Sequence, residues 1–154
     1  MAEQSDRRDA AERLALTLTE GGMQRMAARV LAAFLFTDQP TLTMGEVGGE
    51  LGASAGSVSG AIKMLGTVGL VERVPAPDSR REHYRLRDNA WATLFSTQNT
   101  VVRVMMDAAD AGIATTTTTG PARQRLTQMR DFYDFMFREI PALIDRWNQR
   151  DQPG

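Results

Sequence analysis

Residues 43–65 read TMGEVGGELGASAGSVSGAIKML, and residues 70–87 read LVERVPAPDSRREHYRLR. The first stretch holds two short helical patterns parted by a tight turn. Thr43 followed three residues later by Glu46 is the capping-box pattern, so a helix is expected from Met44 to Leu51. Gly52 closes it, Ala53 sits in the turn, and Ser54 is the next N-cap. The second helix runs from Ala55 to about Thr67, with Val58, Ile62 and Leu65 at spacings of four and three. Gly69 is its expected C-terminal stop. Leu70 to Val74 is apolar and β-branched, hence a strand, and Pro75-Ala76-Pro77-Asp78-Ser79 is turn chemistry. Glu82 to Arg87 alternates, with Tyr84 and Leu86 on one side and His83, Arg85 and Arg87 on the other, which is a half-buried strand.

Working outward, both flanks read as helices. Upstream, Ser5 or Asp6 can cap a helix carrying Ala11, Leu14 and Leu18, and Gly21-Gly22 breaks it. A strongly apolar helix follows from Met23 to Phe36, ended by Asp38-Gln39-Pro40. Downstream, Asp88 or Asn89 caps a long helix with Trp91, Leu94, Phe95, Val102, Met105 and Ala109 on one stripe. Gly112 and the β-branched run Thr115–Thr119 interrupt it. Gly120-Pro121 then opens a last helix in which Leu126, Met129, Tyr133, Met136, Ile140, Leu143 and Trp147 recur at alternating spacings of three and four. That is a heptad-like seam. Pro141 lies inside it and predicts a kink or restart. Phe132, Phe135 and Phe137 lie beside the seam, so the helix has more apolar surface than one domain uses.

The expected class is mainly α (α+β), with a winged helix-turn-helix and a β-hairpin wing between terminal helices. The 154 residues suit a single domain. Within it, residues 1–38 are supporting or dimerisation helices, 41–88 the winged core, and 89–154 the C-terminal dimerisation helices. With no cysteine and one histidine, the chain has no disulfide framework, no thiolate nucleophile, no cysteine or two-histidine metal site, and no expected metal or cofactor. Met1 to Arg8 is polar, no apolar signal core follows, and no span reaches membrane length. The expected compartment is the cytoplasm, on the nucleoid when DNA is bound.

A formal charge of −1 argues against nucleic acid until it is counted locally. From Ser54 to Arg87 six Lys/Arg face three Asp/Glu, a balance of +3, and the remainder of the chain carries −4. In a winged helix the second helix of the turn lies in the DNA major groove. Its outer face carries Ser57, Ser59 and Lys63, and Gly56 and Gly60 leave it thin. The hairpin offers Arg73, Arg80, Arg81, Arg85 and Arg87 to the flanking backbone or minor groove. Ser54 is chiefly a cap, with phosphate contact a second role.

Two other readings compete. Gly52-Ala53-Ser54-Ala55-Gly56 matches the serine-hydrolase elbow, and Asp78 and His83 follow in the chain order of a triad. The elbow needs a buried strand before it, and Met44–Leu51 has no strand alternation, so no enzyme is expected. A winged-helix adaptor for other proteins is the alternative function, but it has no need of an arginine-rich wing.

The segments 57–65 (SVSGAIKML), 69–73 (GLVER), 78–81 (DSRR) and 84–86 (YRL) resemble the DNA-binding core of MarR-type winged-helix regulators. Residues 22–31 (GMQRMAARVL) resemble the helix before that core in the GbsR-like branch, which often has proline at Gln24 and glycine at Ala28. The resemblance implies a homodimer built from the terminal helices, a palindromic double-stranded DNA operator, and release by a small organic effector. It also implies that Asp78 orients Arg80, with Arg81 as the alternate, into the minor groove; the expected role is a repressor's, although repression against activation depends on where the site lies relative to a promoter. The expected DNA contacts are therefore Ser54, Ser57, Ser59, Lys63, Arg73, Asp78, Arg80 and Arg81. Leu14, Leu18, Met129, Met136, Ile140, Leu143 and Trp147 are expected at the dimer interface. Trp91, Phe95, Phe132 and Tyr133 could line an effector pocket, since aromatic cages take quaternary ammonium groups and the branch includes choline-responsive members.

Overall fold

The computed structural model describes residues 1–150. Its elements follow in the order α1 (Ala2–Glu20), α2 (Arg25–Phe36), β1 (Leu42–Thr43), α3 (Met44–Leu51), α4 (Ala55–Thr67), β2 (Val71–Val74), β3 (His83–Leu86), α5 (Ala90–Ile113) and α6 (Pro121–Arg150). This is the mainly helical winged-helix class expected from residues 43–87. The chain divides into two compact units, Met1–Ala90 and the remainder from Trp91.

The first unit is built around α2. Gln24 caps it, its side-chain oxygen accepting from the Ala27 amide at 2.7 Å. Ala27, Ala28, Val30, Leu31, Ala32, Ala33 and Phe34 are all buried. On one side Ala28 and Ala32 meet Ala15 of α1, with Ala11, Leu18 and Met23 packed around them. Small side chains at that contact let the two helix backbones approach closely. On its other sides α2 packs against α3, α4 and β3. Leu31, Leu65, Leu70, Val30, Val47 and Val58, all in the first unit, are the largest fully buried side chains among the described residues. Leu65→Ala removes most of a fully enclosed side chain and is expected to cost about 2–5 kcal/mol of stability. Urea unfolding followed by circular dichroism reads that loss as a lower midpoint.

The turn between α3 and α4 is fixed by local chemistry. Thr43 Oγ1 accepts from the Glu46 amide at 3.2 Å and donates to Glu46 Oε1 at 3.0 Å. The box therefore closes through the threonine hydroxyl rather than the Thr43 amide. Gly52 takes φ +62, which a side chain would strain, and the Ala53 amide returns to Gly48 O at 3.0 Å. Ser54 Oγ then accepts from the Ser57 amide at 3.2 Å to start α4. At the far end Gly69 has φ +83, and the Leu70 amide reaches Leu65 O at 2.9 Å. That six-to-one bond hands the chain directly into β2.

The sheet has the order β1-β3-β2, all antiparallel. Leu42 and Thr43 pair with Tyr84 and His83, while Val71, Glu72, Arg73 and Val74 pair with Leu86, Arg85, Tyr84 and His83. The residue that caps α3 is thus also the residue that ties the wing to the body.

Several boundaries differ from the sequence reading. α1 starts at Ala2 rather than at a cap on Ser5 or Asp6, and Met1 supplies no side-chain cap. Ala, Glu and Gln are good helix formers and extend the helix without one. α5 runs one residue past Gly112 to Ile113, and the β-branched threonine run lies outside it, as expected. Thr115 and Thr116 turn their hydroxyls back onto the carbonyls of Gly112 and Ile113, each at 2.7 Å. A Cβ on Gly120 would lie 2.7 Å from Thr117 Oγ1, so a larger residue there would have to turn that exposed hydroxyl aside. α6 continues through Pro141 with no restart. Pro141 is exposed, and water can take the carbonyl that the ring deprives of its donor.

In the second unit α5 and α6 meet beside their connection. A Cβ on Gly112 would lie 3.1 Å from Leu126 Cδ1, and Arg130 pairs with Asp110 at 3.4 Å. α6 is 30 residues long and has no buried residue. Among the described residues no helix is long and apolar enough to cross a membrane, and no group of three or more His, Asp or Glu is placed to hold a metal ion.

Candidate nucleic-acid interface

α4 is half buried along its length. Val58, Ala61, Ile62 and Leu65 point into the unit. Gly56, Ser59, Gly60 and Lys63 are all exposed, and their spacing places them on one outward stripe. A Cβ on Gly56 or Gly60 would meet no atom within 4 Å, so the stripe is open and flat. Lys63 stands at its C-terminal end with no ion-pair partner among the described residues. Ser54 and Ser57 belong to the cap instead, Ser54 Oγ donating to Ser57 Oγ at 2.9 Å. Arg29 braces this element from behind. Its guanidinium holds Glu12 of α1 at 3.0 Å and donates to Leu51 O, at the end of α3, at 3.1 Å.

The wing arginines divide into two kinds. Arg73 pairs with Glu82 at 2.8 Å. Arg85 pairs with Glu72 at 2.9 Å, and Arg87 reaches the same carboxylate at 3.7 Å. The Glu72 carboxylate pushes the Arg85 guanidinium above its ordinary pKa, first by hydrogen bonding and then by charge. Arg80 and Arg81, at the hairpin tip, form no ion pair among the described residues. Arg81 leans back over the first turn of α3, where a Cβ on Gly45 would lie 3.9 Å from its Nη1. Asp78 makes no ion pair with either arginine among the described residues. Sequence reasoning missed Glu72 and Glu82. The signal for Glu72 was present in the strand register, which sets it directly opposite Arg85.

Tyr84 anchors the base of the hairpin. Its buried hydroxyl donates to Glu82 Oε2 at 2.6 Å. Burial first, and then the bond to Glu82, pushes the phenol up to about 12. A folded pKa raised above the unfolded value near 10 stabilises the fold fully below pH 10. That contribution is lost as pH rises from about 10 to about 12. Tyr84→Phe is expected to lower stability by about 1–2 kcal/mol at neutral pH and to remove this alkaline step. Thermal melts of both proteins between pH 7 and about pH 11 check it.

The hydrolase elbow is answered by the same geometry. The segment before Ser54 is helix, the serine hydroxyl is occupied by the cap, and His83 Nδ1 lies 2.9 Å from Thr41 Oγ1. Of the aromatic set, Phe132 and Tyr133 meet edge to face at 5.6 Å. No ring contact joins them to Trp91 or Phe95 among the described residues.

A family model described as the MarR family matches residues 21–82, and one described as an MmpR5-like MarR family transcriptional regulator matches residues 89–150. The HTH-type transcriptional regulator MmpR5 of Mycobacterium tuberculosis is 31% identical over 129 residues, spanning 83% of this chain and 78% of that protein. The chain belongs to the MarR family. A crystal structure described as that of a transcriptional regulator superposes with a TM-score of 0.84 at 28% identity, covering 94% of this chain and 99% of the other. Apo wild-type MarR from E. coli is more distant, at 17% identity and a TM-score of 0.44 over 98% of this chain and 96% of its own. MarR-family proteins are transcriptional regulators rather than enzymes. The match over 89–150 covers the two helices that lie outside the segments carrying the sequence resemblance.

Proposed function

We propose that this MarR-family protein acts as a homodimer that binds a palindromic double-stranded DNA operator and represses transcription by occupying it. The observation that carries the reading is a set of cations with no ion-pair partner among the described residues, Lys63 on the outer stripe of α4 and Arg80 and Arg81 at the wing tip. A thin, uncrowded helix flanked by free guanidinium groups suits a major groove with phosphates beside it. Ser59 lies on the same stripe, and Ser54 and Ser57 offer amides and hydroxyls at the helix start.

The second copy is argued from the terminal helices. Phe132, Phe135 and Leu143 are 59%, 60% and 56% exposed, and Trp147 is exposed beside them. A monomer leaving that row in water is costly, and an identical seam is its natural cover. Met129, Met136 and Ile140 lie half-buried along the same helix. Leu18 already packs within the chain against α2, whereas Leu14 is half-buried and Leu16 is exposed on α1. Release by a small organic effector fits a dimer whose aromatic residues Trp91, Phe95, Phe132 and Tyr133 lie on these helices. The finer placement in the GbsR-like branch rests on residues 22–31 alone.

Selection of binding sites from random and genomic DNA, followed by footprinting, tests the function. A palindromic site enriched at moderate salt is expected. An interaction adaptor would enrich none and would pass through heparin without retention.

A further inference from the structure

Three of the wing's five arginines are already paired within the chain, two of them sharing one carboxylate, and the two acids that hold them stand on opposite faces of the hairpin. Glu72 and Arg85 are cross-strand partners, so they share a face, and Arg87 lies on it two residues on. Glu72 Oε1 accepts from Arg85 Nε at 2.9 Å, and its other oxygen faces Arg87 Nη2 at 3.7 Å. Its side chain is only 26% exposed, so it is the better shielded of the two acids. Asp88 adds a second carboxylate 3.9 Å from Arg85. On the opposite face Glu82 accepts from Arg73 at 2.8 Å and from the Tyr84 hydroxyl at 2.6 Å, which fixes the carboxylate in place. Whichever face the hairpin turns toward a duplex, its stem presents ion pairs, and of the wing's arginines only the two at the tip form none among the described residues.

We infer that Glu72 and Glu82 act as internal phosphate mimics that hold down sequence-independent affinity, withholding Arg85, Arg87 and Arg73 from the DNA backbone. The inference rests on the DNA-binding reading above and deepens it. Phosphate contacts raise affinity for every sequence alike, whereas discrimination comes from base edges and groove shape. A stem with five free arginines would hold nonspecific DNA tightly. A stem with three of them closed leaves binding to the tip and to the α4 stripe.

The test uses the full-length protein, a random-sequence duplex of about 30 base pairs and the duplex recovered by site selection. Binding is followed by fluorescence anisotropy across a sodium chloride series. Each arginine returned to a phosphate adds about 0.9 to the slope of log K against log salt. Glu82→Gln is expected to steepen the slope by about 1 per protomer and Glu72→Gln by up to about 2. Affinity should rise about tenfold or more at low salt for the random and the selected duplex alike. Arg73→Gln should leave the wild-type slope unchanged, because that arginine is not in contact. Tyr84→Phe disturbs the same carboxylate without freeing a cation and should also leave it unchanged. Slopes unaltered in both glutamine variants, or a slope reduced by Arg73→Gln, overturn the inference while wild-type binding stands. A wild-type protein that binds neither duplex at any salt overturns the DNA reading and this inference with it.

Discussion

Arg80→Ala combined with Arg81→Ala is expected to lower affinity for the selected operator by roughly 100-fold or more near physiological salt. Both side chains are exposed and unpaired, so each is available to DNA. Two contacts per protomer become four in a dimer, and four released counterions correspond to a slope about 3.6 shallower in log K against log salt. The variant should fold normally, since neither side chain is buried or part of the Glu72 and Glu82 pairs. Melting temperatures should agree within about 2 °C, in line with surface substitutions. Anisotropy titrations at several salt concentrations supply both numbers. An unchanged affinity and slope in a folded double variant would remove the wing tip from the interface, leaving Lys63 and the α4 stripe to carry binding.

The wing also shows how far a sequence can be read. The helix-turn-helix was legible because its punctuation is local. Thr43, Gly52, Ser54 and Gly69 each act on backbone groups within a few residues, and all four do what their types suggest. Which arginines are free was not legible, because it depends on register across two strands. Counting charge from Ser54 to Arg87 gave the correct sign for the segment. It could not show that Arg73, Arg85 and Arg87 are already matched by Glu82 and Glu72. Alternation placed Arg85 and Arg87 on one face, but Glu72 was read only as part of a strand. The helix starts at α1 and the passage of α6 through Pro141 escaped for another reason. Caps and prolines bias a boundary by about a kilocalorie per mole or a few, and favourable residues on either side outweigh them. The apolar surplus of the last helix was legible, since α6 indeed contributes no buried residue. The proposed second copy would supply its cover.

That surplus gives the second large expectation. Phe135→Glu combined with Leu143→Glu should convert the protein to monomers and lower operator affinity by more than about 100-fold. The two side chains are among the most exposed apolar groups on α6. Burying each against a partner is worth about 1.5–3 kcal/mol, and the symmetry of a dimer counts each twice. Placing four carboxylates into that seam removes the apolar gain and adds charges that lack partners. Because neither residue is buried within the chain, the monomer should keep its own fold, visible as an unchanged helical signal. A palindromic site presents two half-sites one helical turn apart, about 34–36 Å, and two linked recognition helices bind them with a high effective concentration for the second. A monomer loses that linkage and should bind each half-site weakly and independently. Sedimentation velocity and anisotropy on the same samples separate the steps. Dimers that persist would place the subunit interface elsewhere than this face of α6. Monomers that still bind the full site as tightly as wild type would instead overturn the two-fold mode of recognition.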